Sequence, residues 1–144
     1  MTATKPTSVG VWLNLHALVM DHMYLSRDLL HDRMDGLPWS GYRVLRRIEG
    51  GPMSQGEIAA RMGVDAPAIS GIVSDLLERG HVGRAPDPKD GRRKLVSITD
   101  SGRELLERLR SVTDVAPAPT ATLTAAERRE LTRLVEKMRA AGEA

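Results

Sequence analysis

Apolar residues recur at helical spacing along the first part of the chain. From Val9 to Met34, Trp12, Leu15, Val19, Met23, Leu30 and Met34 fall on one side of a helix, with Val11, Leu18, Leu25 and Leu29 beside them. The pattern predicts one long helix that ends at Gly36. Its apolar arc is wider than a single stripe, above all between Val11 and Met20, so burial against a second copy of the chain is expected. Leu37 and Pro38 then turn the chain into a helix over about Trp39 to Glu49, with Tyr42, Val44, Leu45 and Ile48 as its apolar positions, and Gly50-Gly51-Pro52 stops it.

The next elements are marked by their ends. Ser54 and Glu57 have the spacing of a capping box, which predicts a short helix to about Met62. Gly63 permits a tight turn, Asp65 is placed to cap the following helix, and Pro67 sits in its first turn, where a missing N–H costs nothing. Ile69, Ile72, Val73, Leu76 and Leu77 share one face and are expected in the core. Pro67, Ser70, Gly71, Ser74 and Glu78 form the opposite face, and Gly80 ends the helix.

Two extended runs follow, His81 to Ala85 and Lys94 to Thr99, joined by Pro86-Asp87-Pro88-Lys89-Asp90-Gly91-Arg92-Arg93. The Asp-Gly pair near the tip is a turn signal, so this stretch reads as a β-hairpin. Thr99 or Asp100 caps a helix through Leu105, Leu106 and Leu109, which Pro117 and Pro119 are expected to terminate. A second capping box, Thr124 to Glu127, opens a last helix carrying Leu131, Leu134, Val135 and Met138. The whole reads as mainly α with a small β-hairpin, in the order α-α-α-α-β-β-α-α. One domain over residues 1–144 is expected, with 1–36 and 100–144 as dimerisation helices around a lobe at 37–99.

Composition narrows the chemistry. There are no cysteines, which excludes disulfides, thiolate clusters and thiol redox sensing, and there is no signal-like or membrane-spanning apolar run, so a cytoplasmic protein is expected. Net charge is +2, but Arg79 to Lys94 holds six basic residues against two acidic ones, a net +4 that leaves the remainder at −2. A basic cluster on a mildly acidic body suits a polyanion touched in one place, because counterion release favours clustered cations. Arg84, Lys89, Arg92, Arg93 and Lys94 are its members on the hairpin. Two helices about a tight turn, followed by a cationic hairpin, match the dimensions of duplex DNA: a helix fits the major groove and the hairpin reaches phosphates or the minor groove. Ser70 and Ser74 then face bases or phosphates, while Pro67 and Gly71 allow close approach.

These stretches resemble the MarR family of bacterial transcription regulators. The resemblance rests first on Asp87-Pro88-Lys89-Asp90-Gly91-Arg92-Arg93-Lys94-Leu95-Val96-Ser97-Ile98-Thr99, similar to that family's wing. Gly36-Leu37 before Tyr42-Arg43-Val44-Leu45, Glu57-Ile58-Ala59 with Met62-Gly63-Val64, and Leu76-Leu77-Glu78-Arg79-Gly80 add to it. It implies a winged helix-turn-helix homodimer, joined through its N- and C-terminal helices, on a palindromic operator of double-stranded DNA, with the nucleoid as its place when bound and repression of nearby genes as its usual effect. It also implies that Arg92 enters the minor groove and that Asp90 positions it, and it puts Gly71 where many relatives carry a long polar residue. A small aromatic or phenolic effector is implied between the dimer helices and the lobe, with Trp12, His16, Trp39 and Tyr42 as its candidates.

The rival reading is a winged-helix module for protein or RNA, which would need an apolar surface or a stacking platform; the hairpin has no aromatic. An enzyme is not expected: there is no phosphate-cradling glycine loop, no nucleophile elbow, and the spacing of His16, His22 and His31 does not suit a metal, so no cofactor is expected either.

Overall fold

The computed structural model describes residues 6–111 and 119–141, and their side chains except at positions 26, 29, 30 and 32. Expectations for the side chains of Leu29 and Leu30, and for Pro117, lie outside what is described. In chain order the elements are α1 (Ser8–Asp21), α2 (Met23–Arg33), α3 (Trp39–Ile48), β1 (Met53–Ser54), α4 (Gln55–Met62), α5 (Ala66–Glu78), β2 (Val82–Pro86), β3 (Lys94–Ile98), α6 (Asp100–Arg110), a 3₁₀ turn at Pro119–Thr122, and α7 (Ala125–Ala141).

The capping signals act as expected. Ser54 Oγ accepts the Glu57 N–H at 3.2 Å while Glu57 Oε2 accepts the Ser54 N–H at 2.7 Å. Gly63, at φ +66°, closes α4 in a conformation that a side chain disfavours, and Asp65 caps α5 through the Ala68 N–H at 2.8 Å. Of the two candidates for the cap of α6, Thr99 takes the role, its hydroxyl accepting the Gly102 N–H. Thr124 and Glu127 form the second capping box, at the start of α7.

Three expectations are corrected. The single long first helix is two helices, broken at His22: its ring Nδ1–H donates to the Leu18 carbonyl at 2.9 Å, the acceptor its own backbone N–H would use in an unbroken helix, and that N–H turns to Val19 instead. The sheet has three strands rather than two, in the order β1-β3-β2, because Met53 and Ser54 pair antiparallel with Val96 and Leu95. Finally, α6 ends at Arg110, ahead of the prolines. Ser111 is its C-cap, and both the backbone N–H and the hydroxyl of Ser111 donate to the Glu107 carbonyl, the hydroxyl at 2.6 Å.

The chain divides into two compact units, residues 1–112 and 113–144. In the first, the core is assembled from Met34 and Leu37 at the end of α2, Val44, Leu45 and Ile48 of α3, Ile58 of α4, Ile69, Val73 and Leu76 of α5, Val96 of β3, and Leu105 and Leu106 of α6. Ile72 and Leu77 pack on it only half-buried. Helix α1 contributes no buried residue, and Val9, Val11, Trp12, Leu13, Leu18, Val19 and Met20 are all exposed. In the second unit α7 likewise buries nothing, leaving Leu134 and Met138 exposed.

Candidate nucleic-acid interface

Because Ile69, Val73 and Leu76 hold α5 to the core, its other face is turned outward, and Pro67, Ser70, Gly71, Ser74 and Glu78 line it. A Cβ built on Gly71 meets nothing within 4 Å, so the fold does not require glycine there. Glycine inside a helix costs roughly 0.5–1 kcal/mol relative to alanine, which leaves the shape of the outward surface as what Gly71 contributes.

The hairpin is built from β2 and β3 in register, Val82 opposite Ile98 through to Pro86 opposite Lys94. Pro86 is tolerated because β2 is an edge strand and needs no donor on its free side. The tip is shaped by its acids acting on backbone. Asp87 Oδ1 accepts the Lys89 N–H at 2.9 Å, Asp90 Oδ1 accepts the Arg92 N–H at 3.1 Å, and the Arg93 N–H donates to the Asp90 carbonyl at 2.9 Å. Asp90 therefore meets Arg92 through its backbone amide, not through its guanidinium.

The six cations of the basic segment divide into two kinds. Arg79 is held by Asp75, with Nε 2.9 and 3.0 Å from the two carboxylate oxygens, and donates to the Asp35 carbonyl at 3.1 Å. Arg93 is held by Ser54 and Glu57. The side chains of Arg84, Lys89, Arg92 and Lys94 have no hydrogen-bond or ion-pair partner among the described residues. Arg84, Arg92, Arg93 and Lys94 line one side of a cleft of about 430 Å³ whose other wall is Ser54, Gln55 and Gly56, the first turn of α4. The amide Nε2 of Gln55 is buried without a hydrogen-bond partner among the described residues. Sequence reasoning read Ser54 as a cap and did not bring it to the wing. Only the β1–β3 pairing does so, and a two-residue strand leaves no periodic trace.

The carboxyl of Glu57 is held below its ordinary range, first by the Ser54 backbone N–H, then by the Ser54 hydroxyl and by Arg93. His81, at the start of the hairpin, is buried, with Nδ1 3.1 Å from Ser101 Oγ on α6; burial, then the nearby Arg79 and Arg108, push its pKa down.

The four aromatic candidates lie as two pairs. Trp12 and His16 sit on exposed α1 with ring centroids 6.4 Å apart, and Trp39 and Tyr42 stack at 4.9 Å at the start of α3. A cavity of about 210 Å³ beside Trp39 is lined by Arg27, His31, Gly36, Leu37 and Pro38, with Trp12, His16 and Tyr42 outside its lining.

Comparison with known proteins agrees with this geometry. Residues 35–93 match the MarR family model. An HTH-type transcriptional regulator of Mycobacterium tuberculosis, MT0903.1, is 42% identical over 60 residues, covering 42% of each chain. The HTH-type transcriptional repressor NicR of Pseudomonas putida is 36% identical over 89 residues, 61% of this chain and 56% of NicR. The chain thus spans about half the length of the curated relatives it matches. Among solved structures, wild-type MarR of Escherichia coli in its apo form is 25% identical with a TM-score of 0.69, over 86% of this chain and 93% of that one. A mutant of MepR from a multidrug-resistant clinical isolate of Staphylococcus aureus shares the fold, with a TM-score of 0.77 at 18% identity over 95% and 99% of the two chains.

Proposed function

We propose that this chain, whose residues 35–93 match the MarR family model, is a transcriptional regulator of that family and not an enzyme: a homodimeric, sequence-specific reader of duplex DNA that represses nearby genes from a palindromic operator. In this reading Pro67, Ser70, Gly71 and Ser74 of α5 face the major groove. Arg92 enters the minor groove, and Arg84, Lys89 and Lys94 meet phosphates. The observation that carries it is the set of four wing cations without counter-ions on a hairpin that packs directly against α5. Unpaired cations are free to exchange condensed counter-ions for phosphate contacts, and they do not have to break an internal ion pair first. Release by a small aromatic or phenolic acid is proposed at the Trp39 cavity, where Arg27 supplies the cationic side.

Footprinting on the DNA flanking the gene tests this, with Arg92→Ala beside Lys89→Ala on operator and scrambled duplex at two salt concentrations. Half-sites about one helical turn apart are expected to be protected. Arg92→Ala is expected to cost about 1–3 kcal/mol on the operator and to relax the preference for A·T-rich flanks, whereas Lys89→Ala weakens all DNA alike and lowers the salt slope by about 0.9. Identical behaviour of the two variants on both duplexes removes the minor-groove role.

A further inference from the structure

We propose that Arg93 is a positioning residue, a latch that fixes the wing to the capping box of α4, and not one of the cations that meets DNA. The inference deepens the DNA-binding reading and rests on it for its functional consequence. Arg93 leaves the tip at the start of β3, next to Lys94, the first residue paired in the hairpin. Its Nη2 donates to Ser54 Oγ at 3.2 Å and lies 3.1 Å from Glu57 Oε1, and its Nε is 4.0 Å from Asp87 Oδ2.

One planar fork therefore joins three places: the N-cap hydroxyl of α4, the carboxylate that completes its capping box, and Asp87 at the start of the wing tip. Glu57 divides its oxygens between the tasks, Oε2 on the Ser54 N–H and Oε1 on Arg93. Ser54 is also the strand residue that pairs with Leu95, two positions beyond Arg93, so the latch and the β1–β3 pairing fasten the same junction. The neighbouring Arg92 makes none of these contacts. Arg92 lines the same cleft beside α4, but its guanidinium has no partner among the described residues, so of the two adjacent arginines only Arg93 is fastened.

The ion pair is about half exposed on both sides, so its contribution to binding is modest and its sign is more telling than its size. If Arg93 met phosphate, Glu57 would be a competitor and its neutralisation would tighten DNA binding. If Arg93 is a latch, the same neutralisation loosens the wing and weakens binding. Glu57→Gln is the suitable variant: a glutamine keeps one acceptor oxygen for the Ser54 N–H, as capping boxes allow, and loses the charged partner of Arg93.

Amide hydrogen exchange on the free protein is measured first for wild type, Arg93→Ala, Glu57→Gln and Lys89→Ala, then binding of each to operator at two salt concentrations. The latch predicts faster exchange at the hydrogen-bonded tip amides of Lys89, Arg92 and Arg93 in the first two variants, where the residue is present, and no change in Lys89→Ala. It predicts that Arg93→Ala and Glu57→Gln each weaken operator binding about two- to fivefold, that the double variant is no weaker than either, and that the salt slope stays at the wild-type value. Tighter binding by Glu57→Gln, or unchanged tip exchange with a salt slope lowered by about 0.9 in Arg93→Ala, overturns it. If wild type binds no duplex while the tip amides still respond to Arg93→Ala and Glu57→Gln, the latch stands and the DNA-binding reading fails.

Discussion

Helices α3 and α1 are both rich in apolar residues, yet α3 buries Val44, Leu45 and Ile48 while α1 buries nothing. The difference lies in what surrounds them. Helix α3 packs against α2, α4, α5, α6 and β3, so each apolar side chain finds a partner from its own chain. On α1, Trp12 is 62% exposed and Val19 59%, along a stripe that also carries Val9, Leu13 and Met20. An exposed apolar stripe of that kind suits the dimer interface proposed above, and the lobe shows that this chain completes a core where it has one to complete.

The largest expected effect therefore comes from a charge on α1. Leu13→Glu places a carboxylate in the stripe, where an unpaired buried charge costs about 3–5 kcal/mol at an interface. Sedimentation at micromolar concentration is expected to show a dimer for wild type and a monomer for the variant, with operator affinity reduced at least about a hundredfold because the two half-sites are no longer read together. Circular dichroism of the lobe should barely change. A wild-type monomer, or a variant that still dimerises, would mean that α1 is not the joining surface.

The same comparison predicts the opposite response in the lobe. Gly102 lies on α6, and a Cβ there would run into the His81 carbonyl oxygen and sit 2.7 Å from Ile98 Cγ1. Glycine to alanine inside a helix ordinarily gains about 1 kcal/mol, but here backbone has to move, and the balance is an expected loss of about 1–3 kcal/mol. Urea unfolding checks it: the midpoint of Gly102→Ala should fall with oligomeric state unchanged. A midpoint at or above wild type would show that α6 can slide away from the hairpin.

What was legible in the sequence follows from range. Ser54, Asp65, Thr99 and Thr124 announce helices through bonds that span three residues, and Ile69, Val73 and Leu76 announce a buried face through one helix's own period. The break at His22 was hidden because a polar ring that takes the Leu18 carbonyl leaves the apolar spacing on either side intact. Strand β1 was hidden because two residues show no alternation. The division of the basic segment into paired Arg79 and Arg93 and unpaired Arg84, Lys89, Arg92 and Lys94 was illegible for a related reason: Arg93 meets its partners Ser54 and Glu57 across more than thirty residues of chain, and only folding brings them together. Charge counting could find the cluster but not which of its members are already engaged.

The smallest expected effect concerns the one buried ionisable side chain among the described residues, His81, and it again belongs to the lobe and not to α1. Its imidazole is pushed below the ordinary value of 6.5, first by burial and then by Arg79 and Arg108, while Asp35 and Asp75 oppose the shift weakly and Ser101 holds Nδ1. A histidine whose pKa is lower when folded binds fewer protons in the native state than in the unfolded chain through the window below 6.5. Its contribution to stability is therefore fully present above that value and is lost as pH falls toward the folded pKa. Calorimetry from pH 7.5 down to pH 5.5 should show a falling Tm in wild type, on the order of a degree or two, since a whole kcal/mol moves Tm by only about 4 °C in a chain of this size. His81→Gln keeps a polar group for Ser101 and cannot titrate, so its Tm should be flatter over the same window. An equal fall in both proteins would assign the pH dependence to groups elsewhere, and a rise in wild type would mean that the Asp35 and Asp75 carboxylates, not burial, dominate at His81.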